Sequence, residues 1–195
     1  MDRARVTELH YITPIANLSS IMQRGILSHN RADRVTHESI AEQDVQDRRV
    51  GKRVPAGNLL HDYVNLYFDA RNPMMSARRA RNTKIAVVRV SPLVLDVPGT
   101  VISDGNAASN PTRFYPSPAG LAELDDQRVY AQSWLDDDPW TYWEKKRQRC
   151  AEVLVPNAVP TDYLIGCYAC SDEAAARCRT HVVGVEVEVR ASVYF

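Results

Sequence analysis

An α+β fold with mostly antiparallel pairing is predicted by three features of the sequence. Short apolar or alternating segments that read as strands are spread along the whole chain. Helical segments fall between them, and no regular strand–helix–strand rhythm links the two. A single domain over residues 1–195 is expected, because no repeat, linker or low-complexity segment divides the chain and this length suits one core.

The elements follow in order. Leu9-His10-Tyr11-Ile12 reads as a short strand. Thr13 can cap a helix with Pro14 at its first position, Ile15, Leu18, Ile21 and Met22 give that helix an apolar face, and Gly25 ends it. Ser39 and Glu42 have capping-box spacing, so a second helix is predicted to run to about Arg49. Pro55 and Gly57 break the chain. Tyr63 to Phe68, rich in aromatic and branched residues, reads as a strand. A basic, helical segment starts at Pro73, and Lys84 to Val90 is a strand. Pro92 to Pro118 is dense in Pro, Gly, Ser and Asn and is predicted to be mostly loop. Trp140 to Arg149 reads as a helix, and Ala151 to Val155 and Tyr163 to Cys170 as strands. Ser171 caps a short Ala-rich helix, and Val182 to Val189 alternates as a late strand.

Hydrophobic residues make up 45% and charged residues 25%, the balance of a soluble globular protein. No apolar run approaches the roughly 20 residues of a membrane span. Met1-Asp2-Arg3-Ala4-Arg5 lacks the apolar centre of a signal peptide. A cytoplasmic setting without membrane association is therefore expected, with the 4 cysteines as free thiols. Net charge is zero, with 24 basic and 24 acidic residues, which argues against a generally basic nucleic-acid binder. The charges are nevertheless uneven: Arg71, Arg78, Arg79, Arg81 and Lys84 occur in a stretch without acids. That stretch reads either as a nucleic-acid groove or as a solvated helix face.

Four polar residues stand out: His10, Arg49, Tyr67 and Glu152. Each has a structural reading beside the functional one. A strand histidine is commonly a hydrogen-bonder, Tyr67 could be core, and Arg49 could serve a helix C-terminus. Glu152 is harder to explain structurally, because it opens the apolar strand Ala151-Glu152-Val153-Leu154-Val155, where a carboxylate needs a task or a partner. Cys167, Cys170, Cys178 and His181 have a zinc-like order. Cys167 and Cys170 would point to opposite faces of a strand, however, so buried thiols are the simpler reading. His61-Asp62 could be a pair, but no nucleophilic serine turn or Gly-rich phosphate loop accompanies it.

Several segments carry a resemblance to a known family. In order, they are His10-Tyr11-Ile12-Thr13, Asn17-Leu18, Arg48-Arg49 with Val54-Pro55, Leu60 to Phe68, Arg71-Asn72-Pro73-Met74, Ser103 to Ala107, and Ala151 to Val155. The chain resembles the DarT family of DNA-modifying toxins over most of its length. The His61 to Met74 stretch and Asp104-Gly105-Asn106 are the most specific pieces. The resemblance implies an ADP-ribosyltransferase-like fold, with two small, mostly antiparallel sheets and flanking helices around an NAD⁺ cleft. It implies Glu152 and Arg49 as catalytic residues, and His10, Ile12, Thr13, Arg49 and Tyr67 as those that seat NAD⁺. Loss of nicotinamide builds positive charge on the ribose. A carboxylate can stabilise that charge and take the proton of the attacking base, and an arginine supplies a fixed cation.

NAD⁺ would be a co-substrate, and no metal is required because nicotinamide leaves as a neutral group. The implied partners are single-stranded DNA, approached through Arg78, Arg79 and Arg81, and a DarG-like antitoxin whose macrodomain removes the modification. Phe114, Tyr115, Tyr130 and Trp134 are candidates for stacking on bases. The compact stretch from Gly25 to Arg49, and Asn65 where some relatives carry Pro, favour guanosine over thymidine as target. An RNA- or protein-modifying transferase and a non-catalytic nucleic-acid-binding module are the alternatives. Glu152→Ala is expected to abolish transfer and leave the fold intact.

Overall fold

Alternation of side chains lets each predicted strand bury one apolar row and offer the other to a second layer. The computed structural model describes residues 1–195. Its strands are β1 (Leu9–Pro14), β2 (Ile26–Leu27), β3 (Tyr63–Tyr67), β4 (Ile85–Val90), β5 (Val101–Ser103), β6 (Phe114–Pro116), β7 (Glu152–Pro156), β8 (Ala158–Val159), β9 (Leu164–Ala169) and β10 (Glu186–Val189). The α-helices are α1 (Leu18–Arg24), α2 (His29–Ala32), α3 (Gln43–Val50), α4 (Pro73–Ala77), α5 (Asp126–Val129), α6 (Pro139–Gln148) and α7 (Asp172–Arg179).

Eight strands form one sheet in the order β10-β9-β4-β1-β3-β7-β5-β6, and β2 pairs with β8 as a separate ribbon. Every pairing is antiparallel except β9 with β10. The α+β class and the antiparallel bias predicted from sequence are therefore observed. The two small sheets implied by the resemblance are here two four-stranded halves of a single sheet. β1 pairs with β4 from Leu9 to Pro14 and β3 with β7 from Tyr63 to Tyr67, but β1 and β3 meet only at His10 and Tyr67.

One face of the sheet carries Leu9, Leu66, Val88, Val153 and Val155 against Leu18 and Ile21 of α1 and Ala174, Ala175 and Cys178 of α7. Burial of each large aliphatic side chain there contributes about 1.5–3 kcal/mol. The opposite face carries Ile12, Ile85, Val87 and Tyr168 with Met75 and Tyr194 on one half, and Leu154 and Tyr63 with Val54 and Leu60 on the other. Between these smaller clusters the second face is open, and the cleft lies there.

Several local readings change. The Ser39–Glu42 capping box does not form: α3 starts at Gln43 with Glu42 at its cap and no side-chain cap bond, and Ser39 Oγ accepts from the Ala41 N–H instead. The Pro92–Pro118 stretch, read as mostly loop, carries β5 and β6, which pair onto the edge of the sheet at β7. Thr13 and Pro14 do not start a helix but extend β1, paired with Ala86 and Ile85; the strand ladder outweighs a single cap. The helix begins after a 3₁₀ turn, and Gly25 ends it at φ +77°, where a Cβ would lie 2.1 Å from the Val159 carbonyl oxygen. The basic segment is helical only as α4, capped by Asn72 through a hydrogen bond from the Met75 N–H, and then tightens to a 3₁₀ turn over Arg79–Lys84.

Candidate active site

Cross-strand register assembles the site. His10 lies opposite Tyr67, Tyr67 opposite Glu152, and Glu152 opposite Ser103, so strands β1, β3, β7 and β5 place these four in one lateral row. Directly paired residues project from the same face. Glu152 is 1% exposed and Arg49, in the last turn of α3, is 6% exposed. Arg49 Nη1 donates to both carboxylate oxygens at 3.3 and 3.2 Å, and Nη2 donates to Oε2 at 3.2 Å. The Ala107 N–H donates to Oε1 at 2.9 Å. A buried carboxylate needs such partners. The Arg49 contacts are longer than the roughly 2.7–2.9 Å of a tight charge-assisted bond, so this pair is loosely closed.

The loop that supplies the Ala107 N–H is fixed by Arg147. This side chain donates to Asp104 at 2.6 Å and to Glu144 at 2.7 Å, and its carbonyl accepts the Asn106 N–H at 3.0 Å. Gly105 lies so close to Arg147 that a Cβ would stand 2.5 Å from Nη1. This explains the Asp-Gly-Asn run physically: the acid anchors the loop, the glycine permits the approach, and the backbone then points at Glu152.

Beside the pair lies a cavity of about 1160 Å³. Ile12, Thr13, Arg49, Asn65 and Tyr67 line it together with His29, His61, Trp140, Trp143 and Lys146. Glu152 does not line it but lies behind Arg49. Burial, and then the negative charge of Glu152, hold the Tyr67 hydroxyl well above its usual pKa, so it stays a neutral donor. Burial and the Arg49 charge lower the pKa of Lys52, whose Nζ donates to the Ser109 carbonyl at 2.6 Å.

Arg49, Tyr67, Ile12 and Thr13 thus all line this cavity, and Glu152 is held behind Arg49. It places His10 apart, outside the cavity lining, with Nε2 at 3.0 Å from Glu8 Oε1. Glu8 also accepts from the Tyr168 hydroxyl at 2.6 Å and from Arg89 at 2.7 Å. Burial would raise the Glu8 pKa, but these hydrogen bonds outweigh it and hold it at about 2. With Glu8 ionised, His10 Nε2 carries the donated proton, and Nδ1 is buried without a partner.

Of the three expected DNA-facing arginines, Arg78 lines the cavity but donates to the Ile40 carbonyl at 2.5 Å and pairs with Glu42. Arg79 and Arg81 are exposed outside it. None of Phe114, Tyr115, Tyr130 and Trp134 lines the cavity. The aromatics that do so from solvent are Trp140, 85% exposed, and Trp143, 60% exposed, on α6. The signal for them in the sequence was i,i+3 spacing on a helix with little other apolar content.

His61 and Asp62 do not form a pair: Asp62 accepts from Asn30 at 2.7 Å, while His61 stacks on His29 with ring centroids 4.1 Å apart. Cys167 and Cys178 adjoin in the core, whereas His181 Nδ1 lies 2.9 Å from Ser19 Oγ, so the zinc-like run does not converge.

Comparison with known proteins bears on this geometry. A family model described as "ssDNA thymidine ADP-ribosyltransferase, DarT" matches residues 10–195. The chain is 34% identical over 166 residues to a DNA ADP-ribosyl transferase of Thermus sp. (strain 2.9), covering 79% of this chain and 77% of that one. It is 30% identical over 181 residues to a DNA ADP-ribosyl transferase–DNA ADP-ribosyl glycohydrolase fusion protein of Thermosipho africanus, covering 88% of this chain but only 45% of the fusion. The solved structure of Thermus sp. 2.9 DarT in complex with ADP-ribosylated ssDNA superposes with a TM-score of 0.84, at 26% identity and over 97% of both chains.

Proposed function

The chain belongs to the DarT family and has its ADP-ribosyltransferase-like α+β fold, and from that premise we propose that it is a toxin that transfers ADP-ribose from NAD⁺ to a base of single-stranded DNA. The observation that carries this reading is the buried, loosely closed Arg49–Glu152 pair beside Tyr67 at the wall of a cavity of about 1160 Å³. That volume exceeds the roughly 300–1,000 Å³ of a usual small-ligand site, as a dinucleotide beside a base requires.

Each residue has a chemical role. Glu152 holds a ribose hydroxyl and stabilises the positive charge that grows on the sugar as the bond to nicotinamide breaks and its electron pair leaves with the neutral ring. A base nitrogen bonds to the anomeric carbon, and its proton passes to Glu152. Arg49 supplies a cation to the pyrophosphate or to the polarised base. Tyr67, kept neutral, stacks on nicotinamide, while Ile12 and Thr13 line the seat of NAD⁺. His10, outside the cavity lining, serves the seat of NAD⁺ from behind, as the cross-strand neighbour of Tyr67. Trp140 and Trp143, exposed at the cavity, offer faces on which bases stack.

Guanosine is the target base in this reading, supported by the compact Gly25–Arg49 stretch and by Asn65, which lines the cavity. Thymidine is the competing target, favoured by the description of the matching family model. A partner that removes the modification, of the DarG macrodomain kind, is supported by the fusion of transferase and glycohydrolase in Thermosipho africanus. No helix is long and apolar enough to cross a membrane.

The test is to incubate the protein with labelled NAD⁺ and, separately, single-stranded DNA, duplex DNA, RNA and protein. Label on the single strand alone is expected; label confined to RNA or protein would replace the acceptor. Mass spectrometry on oligonucleotides each enriched in one base then locates the adduct, with thymidine alone overturning the guanosine assignment.

A further inference from the structure

We propose that Arg24, Arg31 and Arg34 form a phosphate track that carries the backbone of the DNA strand to the cleft, an inference that rests on the DNA-modifying reading above. Arg24 ends α1, Arg31 lies in α2, and Arg34 follows one turn later. Together with Leu27, Val35 and Ala158 they line a second, shallower depression of about 340 Å³. All three arginines are exposed. The nearest acid in sequence, Asp33, faces His29 at 3.4 Å rather than any of them.

Their side chains make no ion pair or hydrogen bond within the fold, unlike those of Arg49, Arg78, Arg89, Arg147 and Arg149. Three unpaired guanidiniums on one depression repel one another, and an incoming polyanion relieves that repulsion.

Position makes the patch more than a solvated face. Leu27 lines both this depression and the main cavity, so the two adjoin across its side chain. The floor is rigid: Leu27 pairs with Ala158 and Ile26 with Val159 in the β2–β8 ribbon. Gly25, packed on the Val159 carbonyl, holds the end of α1 against that ribbon. An apolar floor with guanidiniums around it suits sugars and phosphates in series. A strand laid there would bring its next base to the cavity mouth. The Arg78 side chain, tied to Ile40 and Glu42, has less freedom to take a phosphate.

The test uses the full chain with all three arginines changed to Gln, and a second variant with all three changed to Lys. Fluorescence anisotropy measures single-strand affinity over a range of salt. Each phosphate contact on a single strand contributes about 0.7 to the slope of log affinity against log salt, so the Gln variant should lose about 2 from the wild-type slope. The Lys variant should keep it. Slow hydrolysis of NAD⁺ without DNA should be equal in all three proteins, which shows that the cavity is undisturbed.

An unchanged slope in the Gln variant, with a wild type that labels single strands, overturns the track and leaves the function standing. Loss of NAD⁺ hydrolysis together with DNA binding in the Gln variant overturns it too, because the arginines would then serve the cavity itself. A wild type that neither binds nor labels single strands overturns both proposals.

Discussion

Each half of the sheet draws one carboxylate out of solvent, and the two are held in different ways. In the β10-β9-β4-β1 half, Glu8 accepts from His10, Tyr168 and Arg89 at 2.6–3.0 Å, away from the lining of the main cavity. In the β3-β7-β5-β6 half, Glu152 has a single charged partner, Arg49, at 3.2–3.3 Å, and that partner faces a large cavity. Both carboxylates satisfy the requirement that buried charge be paired. Glu8 is held at short, charge-assisted distances and does not line the main cavity. The loosely paired one can exchange part of its bonding for a substrate hydroxyl, at a wall that substrate can reach. Contact length and access, rather than the number of hydrogen bonds, separate the two carboxylates.

The largest effect that would break this comparison is at Glu152. Glu152→Gln should lower transfer by about a hundredfold or more, since one electrostatic stabiliser is lost while the Ala107 contact can persist. Transfer within a few-fold of wild type on the same DNA would remove Glu152 from the chemistry. The expectation that Glu152→Ala leaves the fold intact is revised: alanine strands the Arg49 charge in a buried site, at a cost of roughly 3 kcal/mol. A thermal melt of the two variants side by side separates the effects.

Arg49→Lys comes next. It keeps the charge but not the forked geometry, and losing a charge-assisted partner costs about 1.5–3 kcal/mol, or roughly ten- to a hundredfold in kcat/KM. Normal kcat/KM for NAD⁺ and DNA would show Arg49 to be only a structural partner of Glu152.

Glu8→Gln should act on stability and leave transfer within a few-fold. The folded pKa of Glu8, about 2, lies below the ordinary 4.5. Its network therefore stabilises the fold above the ordinary value, and that stabilisation is lost as pH falls toward 2. The variant should melt below wild type near neutral pH, by roughly 1–2 kcal/mol, and the two should converge in acid. A gap that stays constant with pH would mean that the charge of Glu8 contributes nothing.

The smallest effect is expected at His10, which stands between the two carboxylates. His10→Ala should raise KM for NAD⁺ several-fold and lower stability as Glu8→Gln does. An unchanged KM would leave His10 solely a partner of Glu8 and confine the NAD⁺ site to the second half of the sheet.

Much of this could be read along the chain. The strand at Glu152 was legible because a carboxylate opening an apolar run is anomalous by local pattern alone, and strand periodicity located most of the sheet. Local pattern failed where a distant partner decided the outcome. Thr13 and Pro14 have helix-start chemistry, yet β4 captured them as strand. The i,i+3 spacing of Trp140 and Trp143 marked a shared helix face but not the cavity it would meet, and nothing near Arg78 in sequence announced that Glu42 would hold it.

By itself the sequence determined the class, the longer strands and the identity of the charged residues, because these follow from side-chain period and composition; the short strands β2, β5, β6 and β8 needed their partners. Only the tertiary structure decided that Arg49 and Glu152, 103 residues apart, would meet, and that β1 and β3 would touch at one pair. It also decided which carboxylate would be tightly held and which loosely paired behind a cavity wall. The physical reason is that pairing, desolvation and access are properties of the space between elements, and chain order does not encode that space until the sheet has closed.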